Sequence, residues 1–360
     1  MKYIIEIGHP AHVHHFKYLY WELKQRGHDV LIIARDKECV VELLKSYRMN
    51  FSLLGKTSGN LLKKIISIFS CDFKLLRISK KYKPDIFISR VSPASSHVSY
   101  LMKKPHICFA DTETSRGFDW IATPFVDVFL TSISYKRNHG KKQIRYSGYH
   151  ELAYLHPNRY TPNPEIYRRL HLSYGEKYAI IRFVSWSAHH DIGQKGFTIA
   201  NKIRLVKELR KYLDVYISSE GDLPEELFQH RINIEPHYMH DSLYYAHLFI
   251  GESGTMASEC AVLGTPAIFI NNNRYGCIDD QASYGLLYQF GESEQDQIKA
   301  IKKAVELAKE DNKKFYSERR DRMLKEKIDV TSFMVWFVEN FPESKKEMTG
   351  CEFDYERFTK

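Results

Sequence analysis

The sequence predicts an α/β fold built from two similar domains in tandem. Short apolar segments alternate along the chain with segments whose apolar residues recur at helical spacing, which is typical of parallel sheets covered by helices on both faces. The alternation stops at residues 156–164, which are rich in Pro and Asn, and starts again at Lys177. At 360 residues, the chain also exceeds the ~250–300 residues at which a single hydrophobic core stops growing.

Six apolar runs predict strands in the first half of the chain. A helix from about His12 to Gly27 separates the first two strands, and its apolar residues follow helical spacing. A second helix is predicted over Glu38–Tyr47. The six strands are Lys2–Ile7, Asp29–Ala34, Phe51–Leu54, Asp85–Ser89, His106–Ala110 and Asp127–Thr131.

The second half repeats this pattern and ends in a polar tail from Glu343, which we expect to be loose. We expect an N-terminal domain over residues 1–155, a linker over 156–176 and a C-terminal domain over 177–330. The strands predicted here are Lys177–Val184, Val215–Ser218, His247–Ile250 and Ala267–Ile270. The helices predicted here are Thr198–Tyr212, Thr255–Gly264, Gln295–Glu310 and Thr331–Asn340.

Composition limits the classes of partner and compartment. With 53 Lys and Arg against 44 Asp and Glu, the net charge of +9 favours a phosphate ligand, nucleic acid or a membrane surface. The six cysteines form no Cys-x-x-Cys pair, which excludes a zinc ribbon or a thioredoxin-type motif. The sequence shows no export signal and no apolar stretch near the ~20 residues of a membrane span. We therefore expect a cytoplasmic protein, with contact at the inner face of the membrane still allowed.

The strongest motif is the glycine-rich turn that follows the strand His247–Ile250. Small residues let a ligand approach the backbone, and the N–H groups at the start of the next helix attract phosphate. Glu259, further along that helix, is placed to accept hydrogen bonds from ribose hydroxyls. The alternative is a tight strand-to-helix turn with a solvated Glu259, and residue types alone do not decide between the two. The nucleotide ligands predicted here are Gly251, Glu252, Ser253, Gly254, Thr255, Met256 and Glu259.

The loop after the first strand contains four histidines in Gly8–His15. His12 is a candidate to take a proton from an acceptor hydroxyl, because the unperturbed pKa of a histidine is about 6.5. A metal site is the least favoured alternative: His12 and His15 share a helix face, but no carboxylate accompanies them at ligand spacing. The remaining histidines would then pack or face water.

Two further loops follow predicted strands and carry polar residues. In Phe109–Arg116, Asp111 or Glu113 is a candidate base or ligand of a sugar hydroxyl, and the alternative for Asp111 is a helix N-cap. The loop Arg182–Gly196 suits a diphosphate or a sugar, or is simply a flexible polar loop. Its candidate ligands are Ser185, Ser187, His190 and Lys195.

The segment Leu61–Lys83 is amphipathic and basic. Its apolar residues alternate with lysines and arginine, so it is suited to lie on anionic lipid and reach a lipid-linked acceptor. The alternative is an ordinary helix that packs on the core and leaves its lysines in solvent.

Over about residues 1–340, these motifs resemble the GT-B superfamily, and most closely the family called domain of unknown function 354. The resemblance implies two Rossmann-like domains with a cleft between them, and a helix over 331–342 that crosses back to the first domain. It implies that Ser253, Gly254 and Thr255 meet the diphosphate, Glu259 the ribose, and that the acceptor enters near His12. Members of this superfamily need no bound metal, because backbone amides and a helix dipole stabilise the departing diphosphate.

Non-hydrolysing UDP-N-acetylglucosamine 2-epimerases share this fold and are the alternative. They carry an acidic residue after the fourth strand, where this chain has Arg90–Ala94 without an acid. Two later epimerase motifs are matched only partly, at Phe109–Glu113 and at Ser187–Asp191. The loss of the first acid weakens proton abstraction at sugar C2.

The sequence therefore predicts a metal-independent glycosyltransferase with a UDP-linked donor and a cell-surface polysaccharide or glycolipid acceptor. Its predicted catalytic residues are His12, Asp111, Glu113 and His190. We expect no cofactor beyond the nucleotide-sugar substrate, and contact with a membrane through Leu61–Lys83. A third hypothesis is a non-catalytic binder of anionic membrane or nucleic acid, although no RNA-recognition or helix-turn-helix signature supports nucleic acid.

Overall fold

The computed structural model describes residues 1–56, 61–113, 119–184, 196–311, 313–350 and 353–359. The strands are β1 Lys2–Ile7, β2 Asp29–Asp36, β3 Phe51–Lys56, β4 Ile86–Ser89, β5 His106–Phe109, β6 Val128–Ser132, β7 Gln143–Tyr146, β8 Tyr178–Phe183, β9 Asp214–Ser219, β10 Leu248–Gly251, β11 Ala267–Ile270 and β12 Leu287–Phe290. The helices are α1 Pro10–Gln25, α2 Val40–Ser46, α3 Leu61–Tyr82, α4 Pro93–Leu101, α5 Asp119–Ala122, α6 Leu152–Leu155, α7 Glu165–Arg169, α8 Ile199–Leu209, α9 Met239–Tyr245, α10 Gly254–Leu263, α11 Gly276–Ser283, α12 Glu294–Lys309, α13 Lys313–Lys325, α14 Val330–Glu339 and α15 Glu343–Gly350. Short 3-10 turns cover Thr123–Phe125, Gly140–Lys142, Glu225–His230, Pro236–Tyr238 and Glu356–Phe358. Within these described ranges, none of the helices combines the length and the apolar character that are needed to cross a bilayer.

The chain divides into two compact units. The first contains Met1–Arg159 together with Lys327–Lys360, so α14 and α15 belong to the unit in which the chain begins. The second contains Tyr160–Glu326. Each unit has one parallel sheet, with seven strands in the first and five in the second, which confirms the predicted α/β class.

The sheet of the first unit has the strand order β3-β2-β1-β4-β5-β6-β7, and every neighbouring pair is parallel. Its central strands are apolar along most of their length, and Ile4, Ile5, Phe87 and Ile88 are buried, as a strand covered on both faces requires. The chain reverses its direction of progress across the sheet between β1 and β4. Open α/β sheets bind ligands at such a reversal, beside the carboxyl ends of the strands.

The sheet of the second unit has the order β12-β11-β10-β8-β9 and is also parallel throughout. Its reversal lies between β8 and β10. Gly251 ends β10 opposite Arg182 of β8, and a Cβ at Gly251 would lie 2.6 Å from the Arg182 carbonyl oxygen. Only glycine allows this approach, because Cβ atoms do not come so close to a backbone oxygen.

Two strands that the sequence analysis does not predict, β7 and β12, lie at sheet edges. In β7 buried residues alternate with partly exposed ones, and in β12 only Leu287 is buried. These two edge strands therefore lack the continuous apolar run on which the prediction depends. Helices α4, α5, α6, α7, α9, α11 and α13 are likewise absent from the prediction.

The last segment of the chain packs within the first unit. Asp329 caps α14 by accepting a hydrogen bond from the Thr331 N–H at 3.0 Å, and it forms an ion pair with Arg159 at 2.7 Å. The tail, which we expected to be loose, contains α15 and a buried Phe358 whose ring lies edge-on to Phe333 at 5.7 Å. The expectation was wrong, because the mostly polar tail contains one aromatic side chain, Phe358, that is buried and holds the segment in place.

Replacing Gly251 by Ala should lower the free energy of unfolding by about 1–3 kcal/mol, because the added Cβ forces β8 and β10 apart. Gly8→Ala is the matched control. Gly8 also follows a central strand and has no positive φ, and a Cβ there would meet no atom closer than 3.9 Å. We expect the control to be unchanged or slightly more stable. Urea unfolding followed by circular dichroism measures both, and equal losses would contradict the close approach.

Candidate functional site

In the second unit, β10 runs directly into the N-terminus of α10 at the reversal of the sheet. Ser253 caps this helix, and its Oγ accepts a hydrogen bond from the Met256 N–H at 3.3 Å. A Cβ at Gly254 would lie 3.4 Å from the ring of Phe269, so the turn packs closely on β11. Thr255 is exposed in the first turn, where helix N–H groups lack intrahelical partners and the helix dipole favours an anion. The turn therefore suits a phosphate.

Glu252 joins the two chain segments on either side of residues 185–195. Its Oε2 accepts a hydrogen bond from the Val184 N–H at 2.7 Å, and its Oε1 accepts one from the Phe197 N–H at 2.6 Å. Burial raises the pKa of Glu252 to about 7, although both hydrogen bonds favour the charged form. The contacts observed for this predicted nucleotide ligand are thus to the protein's own backbone. The predicted site residues Ser185, Ser187, His190 and Lys195 lie outside the described residues.

Glu259 is nearly buried in α10, with 4% of its surface exposed. Its Oε1 lies 3.1 Å from Nε2 of His240, which is itself buried in α9. A carboxylate only accepts hydrogen bonds, so Nε2 of His240 carries the proton in this pair. Sequence reasoning missed His240, because α9 was not recognised as a helix. The pair fixes the orientation of the Glu259 carboxylate.

In the first unit, His12 lies near the start of α1, at the reversal of the sheet. Its Nδ1 accepts a hydrogen bond from the Gly8 N–H at 3.2 Å, so the neutral imidazole carries its proton on Nε2. Burial, together with the nearby charge of Arg90, lowers the pKa of His12 well below its usual value. In this arrangement Nε2 donates a hydrogen bond. The role of proton acceptor that the sequence suggests would require the contact with Gly8 to break.

Asp111 follows β5 and forms an ion pair with Arg90, and its Oδ2 lies 3.1 Å from Nδ1 of His150. Its side chain is 36% exposed. Glu113 lies against the connection between β6 and β7, where its Oε1 accepts a hydrogen bond from the Lys136 N–H at 3.1 Å. The structure therefore places Asp111 in direct contact with Arg90 at the sheet reversal.

Three residues without a predicted catalytic role complete this group: Arg90 after β4, His15 in α1 and His150 after β7. The rings of His15 and His150 meet edge to face at 4.4 Å. The Arg90 side chain is largely buried, and burial lowers its pKa. Arg90 could have been found from its position after a predicted strand, whereas His150 follows an edge strand that carries no apolar run. Within the described ranges, no group of three or more His, Cys, Asp or Glu side chains is arranged to hold a metal ion.

Glu6, a buried carboxylate on β1, anchors the loop that carries Arg90. Its Oε2 accepts hydrogen bonds from the Ser92 hydroxyl at 2.6 Å and from the Ser95 N–H at 3.2 Å. Its Oε1 lies 3.3 Å from Arg35 of β2. Because the two serines stand at the start of α4, Glu6 holds the β4–α4 connection in place beside β1.

Comparison with known proteins shows what this chain is similar to. The model of the family described as a protein of unknown function (DUF354) matches residues 1–340. An uncharacterized protein of Methanocaldococcus jannaschii is 23% identical over 281 residues, which is 73% of this chain and 80% of that protein.

Solved structures that share the fold include two enzymes. A spinosyn rhamnosyltransferase complexed with spinosyn aglycone has a TM-score of 0.61 and 14% identity, and the match covers 94% of this chain and 100% of that one. The UDP-N-acetylglucosamine 2-epimerase of Neisseria meningitidis, bound to UDP-N-acetylglucosamine, has a TM-score of 0.67 and 13% identity, with coverage of 94% and 100%. These similarities confirm the predicted GT-B fold.

Glu252 should make stability depend on pH. Its pKa is 4.5 in the unfolded chain and about 7 in the folded protein, so between these pH values the folded state binds more protons and its stability falls as the pH rises. Glu252→Gln cannot titrate. The unfolding free energy of the wild type minus that of the variant should therefore fall by up to about 3 kcal/mol as the pH rises from 4.5 to about 7. Urea unfolding across this range measures the difference, and parallel pH curves for the two proteins would contradict it.

Proposed function

Because this chain belongs to the family described as a protein of unknown function (DUF354), we propose its activity from its own residues. It transfers a sugar from a nucleotide-activated donor, with UDP as the nucleotide, to a hydroxyl group of a glycan or glycolipid acceptor. The observation that carries this proposal is the turn from Gly251 to Thr255, where β10 meets the N-terminus of α10 at the reversal of the second sheet.

The donor nucleotide binds in the second unit. Its diphosphate lies on the N–H groups at the start of α10, next to the cap residue Ser253. Its ribose hydroxyls donate hydrogen bonds to Glu259, whose carboxylate is oriented by His240. The similar epimerase with UDP-N-acetylglucosamine bound supports a nucleotide sugar as the ligand of this fold.

The acceptor hydroxyl meets His12 and Asp111 of the first unit. Nε2 of His12 donates a hydrogen bond to an acceptor oxygen, and the partly exposed carboxylate of Asp111 takes the hydroxyl proton. The hydroxyl oxygen bonds to sugar C1 while the bond from C1 to the diphosphate oxygen breaks, and UDP leaves with the electron pair. The N–H groups of α10 stabilise the new negative charge, so the proposed step calls for no bound metal.

A sugar-nucleotide 2-epimerase is the second candidate, because the epimerase bound to UDP-N-acetylglucosamine shares the fold over 94% of this chain. That reaction needs a base at sugar C2. The position after β4, which is acidic in the epimerases that this chain resembles, holds Arg90, paired with Asp111. The two activities are separable: an epimerase takes up deuterium at C2 without an acceptor, whereas a transferase releases UDP only when an acceptor is present.

Glu259→Gln should weaken UDP binding by about 10- to 100-fold, because it removes the charge from a hydrogen-bond acceptor of the ribose. The matched control is Glu208→Gln, which makes the same charge change on α8, where Glu208 pairs with Lys211. Isothermal titration calorimetry with UDP measures both variants. Equal affinities in the two variants would refute the placement of the ribose. Failure of the wild type to bind any member of a UDP-sugar panel would refute the proposed enzymatic activity.

We further propose that the acceptor is reached at a membrane, through an exposed apolar surface on the first unit. Phe69 and Phe73 of α3 are each 70% exposed, and Trp120 of α5 is 72% exposed. Tyr100 and Leu101 at the end of α4 are also exposed. Such a concentration of large apolar side chains marks an interaction site. The side chains of residues 61–67, in the segment for which the sequence suggested this role, lie outside the description.

Contacts join the helices that carry these side chains, α3 to α4 and α4 to α5. Nδ1 of His97 in α4 forms a hydrogen bond with Oδ2 of Asp72 in α3 at 2.7 Å. Tyr100 contacts Phe125, in the turn after α5, with ring centroids 5.0 Å apart. Exposed cationic residues flank the surface on α3 and after α4: Arg77, Lys80, Lys81 and Lys103.

Trp120 connects this surface to a cavity of about 780 Å³. The cavity is also lined by Arg137, His139 and Lys142, so it carries two permanent positive charges suited to a phosphate headgroup. Apolar exposure and positive charge therefore point to one partner, an anionic bilayer.

Phe69→Ser combined with Phe73→Ser should weaken binding to vesicles of phosphatidylcholine and phosphatidylglycerol by about tenfold or more, because two aromatic side chains no longer enter the bilayer. Phe228→Ser is the control, since Phe228 is 58% exposed on the second unit. Cosedimentation measures binding, and added salt should weaken it in every variant. Equal binding by wild type and the double variant, or an equal loss in the control, would contradict this contact.

A further inference from the structure

The first unit contains a buried group of nitrogen-bearing side chains that we call the basic cluster: His15, Arg90 and His150, with Asp111 at its edge. His15 is 1% exposed and His150 is 5% exposed. Neither nitrogen of His15, nor Nε2 of His150, has a hydrogen-bond partner among the described residues. Nδ1 of His150 lies 3.1 Å from Asp111 Oδ2 but does not reach hydrogen-bond geometry.

Unpartnered nitrogens of this kind are costly to bury, and most buried polar side-chain atoms in proteins are paired. Packing does not require a histidine here. The centroid of the His15 ring lies 4.7 Å from that of Phe16 and 5.4 Å from that of Phe109. A phenylalanine side chain would also pack in these surroundings. The imidazole nitrogens therefore need an explanation other than core packing.

The cluster also has the charge and the position of a ligand site. Arg90 follows β4, His15 lies in the helix after β1, and Asp111 follows β5, so all three stand at the reversal of the sheet. The Arg90 guanidinium is paired with Asp111, whose side chain is 36% exposed. Because the Asp111 carboxylate is partly exposed, an incoming anion can reach the Arg90 guanidinium and replace Asp111 as its partner.

We propose that the basic cluster binds an anionic group of the acceptor, a phosphate or a carboxylate. Arg90 supplies the positive charge, and His15 and His150 supply hydrogen-bond donors. Guanidinium and imidazole N–H groups match the oxygen atoms of both anions. Asp111 is then an internal competitor that leaves Arg90 when the ligand arrives. That the anion belongs to an acceptor rests on the proposed function, whereas the anion site itself rests on the cluster.

The test is the binding of inorganic phosphate and of acetate to the full chain, measured by isothermal titration calorimetry. Arg90→Gln should weaken binding by about tenfold or more, because it removes the charged donor. Asp111→Asn should strengthen binding, because it removes the competing carboxylate. Arg26→Gln is the matched control, since Arg26 lies at the opposite end of α1 and pairs with Glu22 and Glu339. A preference for phosphate or for acetate tells which anion the acceptor carries.

His15→Phe separates binding from folding. We expect the melting temperature to be retained or raised by a few degrees, because two unpartnered nitrogens leave the core, while the affinity for the anion falls. A variant that loses stability and keeps its anion affinity would show that His15 is structural and would overturn its part in the site.

Failure of this inference is distinct from failure of the proposed function. Absence of phosphate and acetate binding, or equal affinities in wild type and Arg90→Gln, overturns the anion site whatever the result with UDP. Phosphate binding that depends on Arg90 in a protein that binds no UDP-sugar supports the anion site and overturns nucleotide-sugar transfer.

Discussion

A parallel strand has to be covered by helices on both of its faces, and this constraint decides where chemistry can occur in the protein. Once the faces of a sheet are closed, the carboxyl ends of its strands are the places where polar side chains can meet a ligand. The crossovers change sides between β1 and β4 in one sheet and between β8 and β10 in the other, which leaves room between the neighbouring helices. The glycine-rich turn and the basic cluster lie at these two places.

Buried carboxylates organise both sheet ends from within. Glu6 holds the start of α4, Glu252 holds the backbone on both sides of residues 185–195, and Glu259 pairs with His240. A carboxylate is tolerated in a protein interior only where hydrogen bonds replace its lost water, so each of these groups also fixes the position of its partners. Such fixed surroundings are what an enzyme needs in order to meet developing charge without rearrangement.

The sequence was a good guide wherever a structural element has a local signature. The apolar runs of β1 and β4 and the small residues before α10 identify themselves by composition and spacing. Edge strand β7 and helix α9 have no such signature, and for that reason the neighbouring His150 and the helical His240 were missed. The aromatic anchor Phe358 was missed for the related reason that average polarity hides a single buried side chain.

The amino-acid sequence by itself determined the α/β class, the division into two repeating halves and the turn at Gly251–Thr255, because each depends on residues that are neighbours in the chain. Only the tertiary structure decided that Asp111 meets both Arg90 and His150, and that Glu252 accepts hydrogen bonds from backbone N–H groups at the turn. These contacts join residues far apart in the chain. Their pairing depends on strand order and burial, which leave no periodic pattern in the sequence.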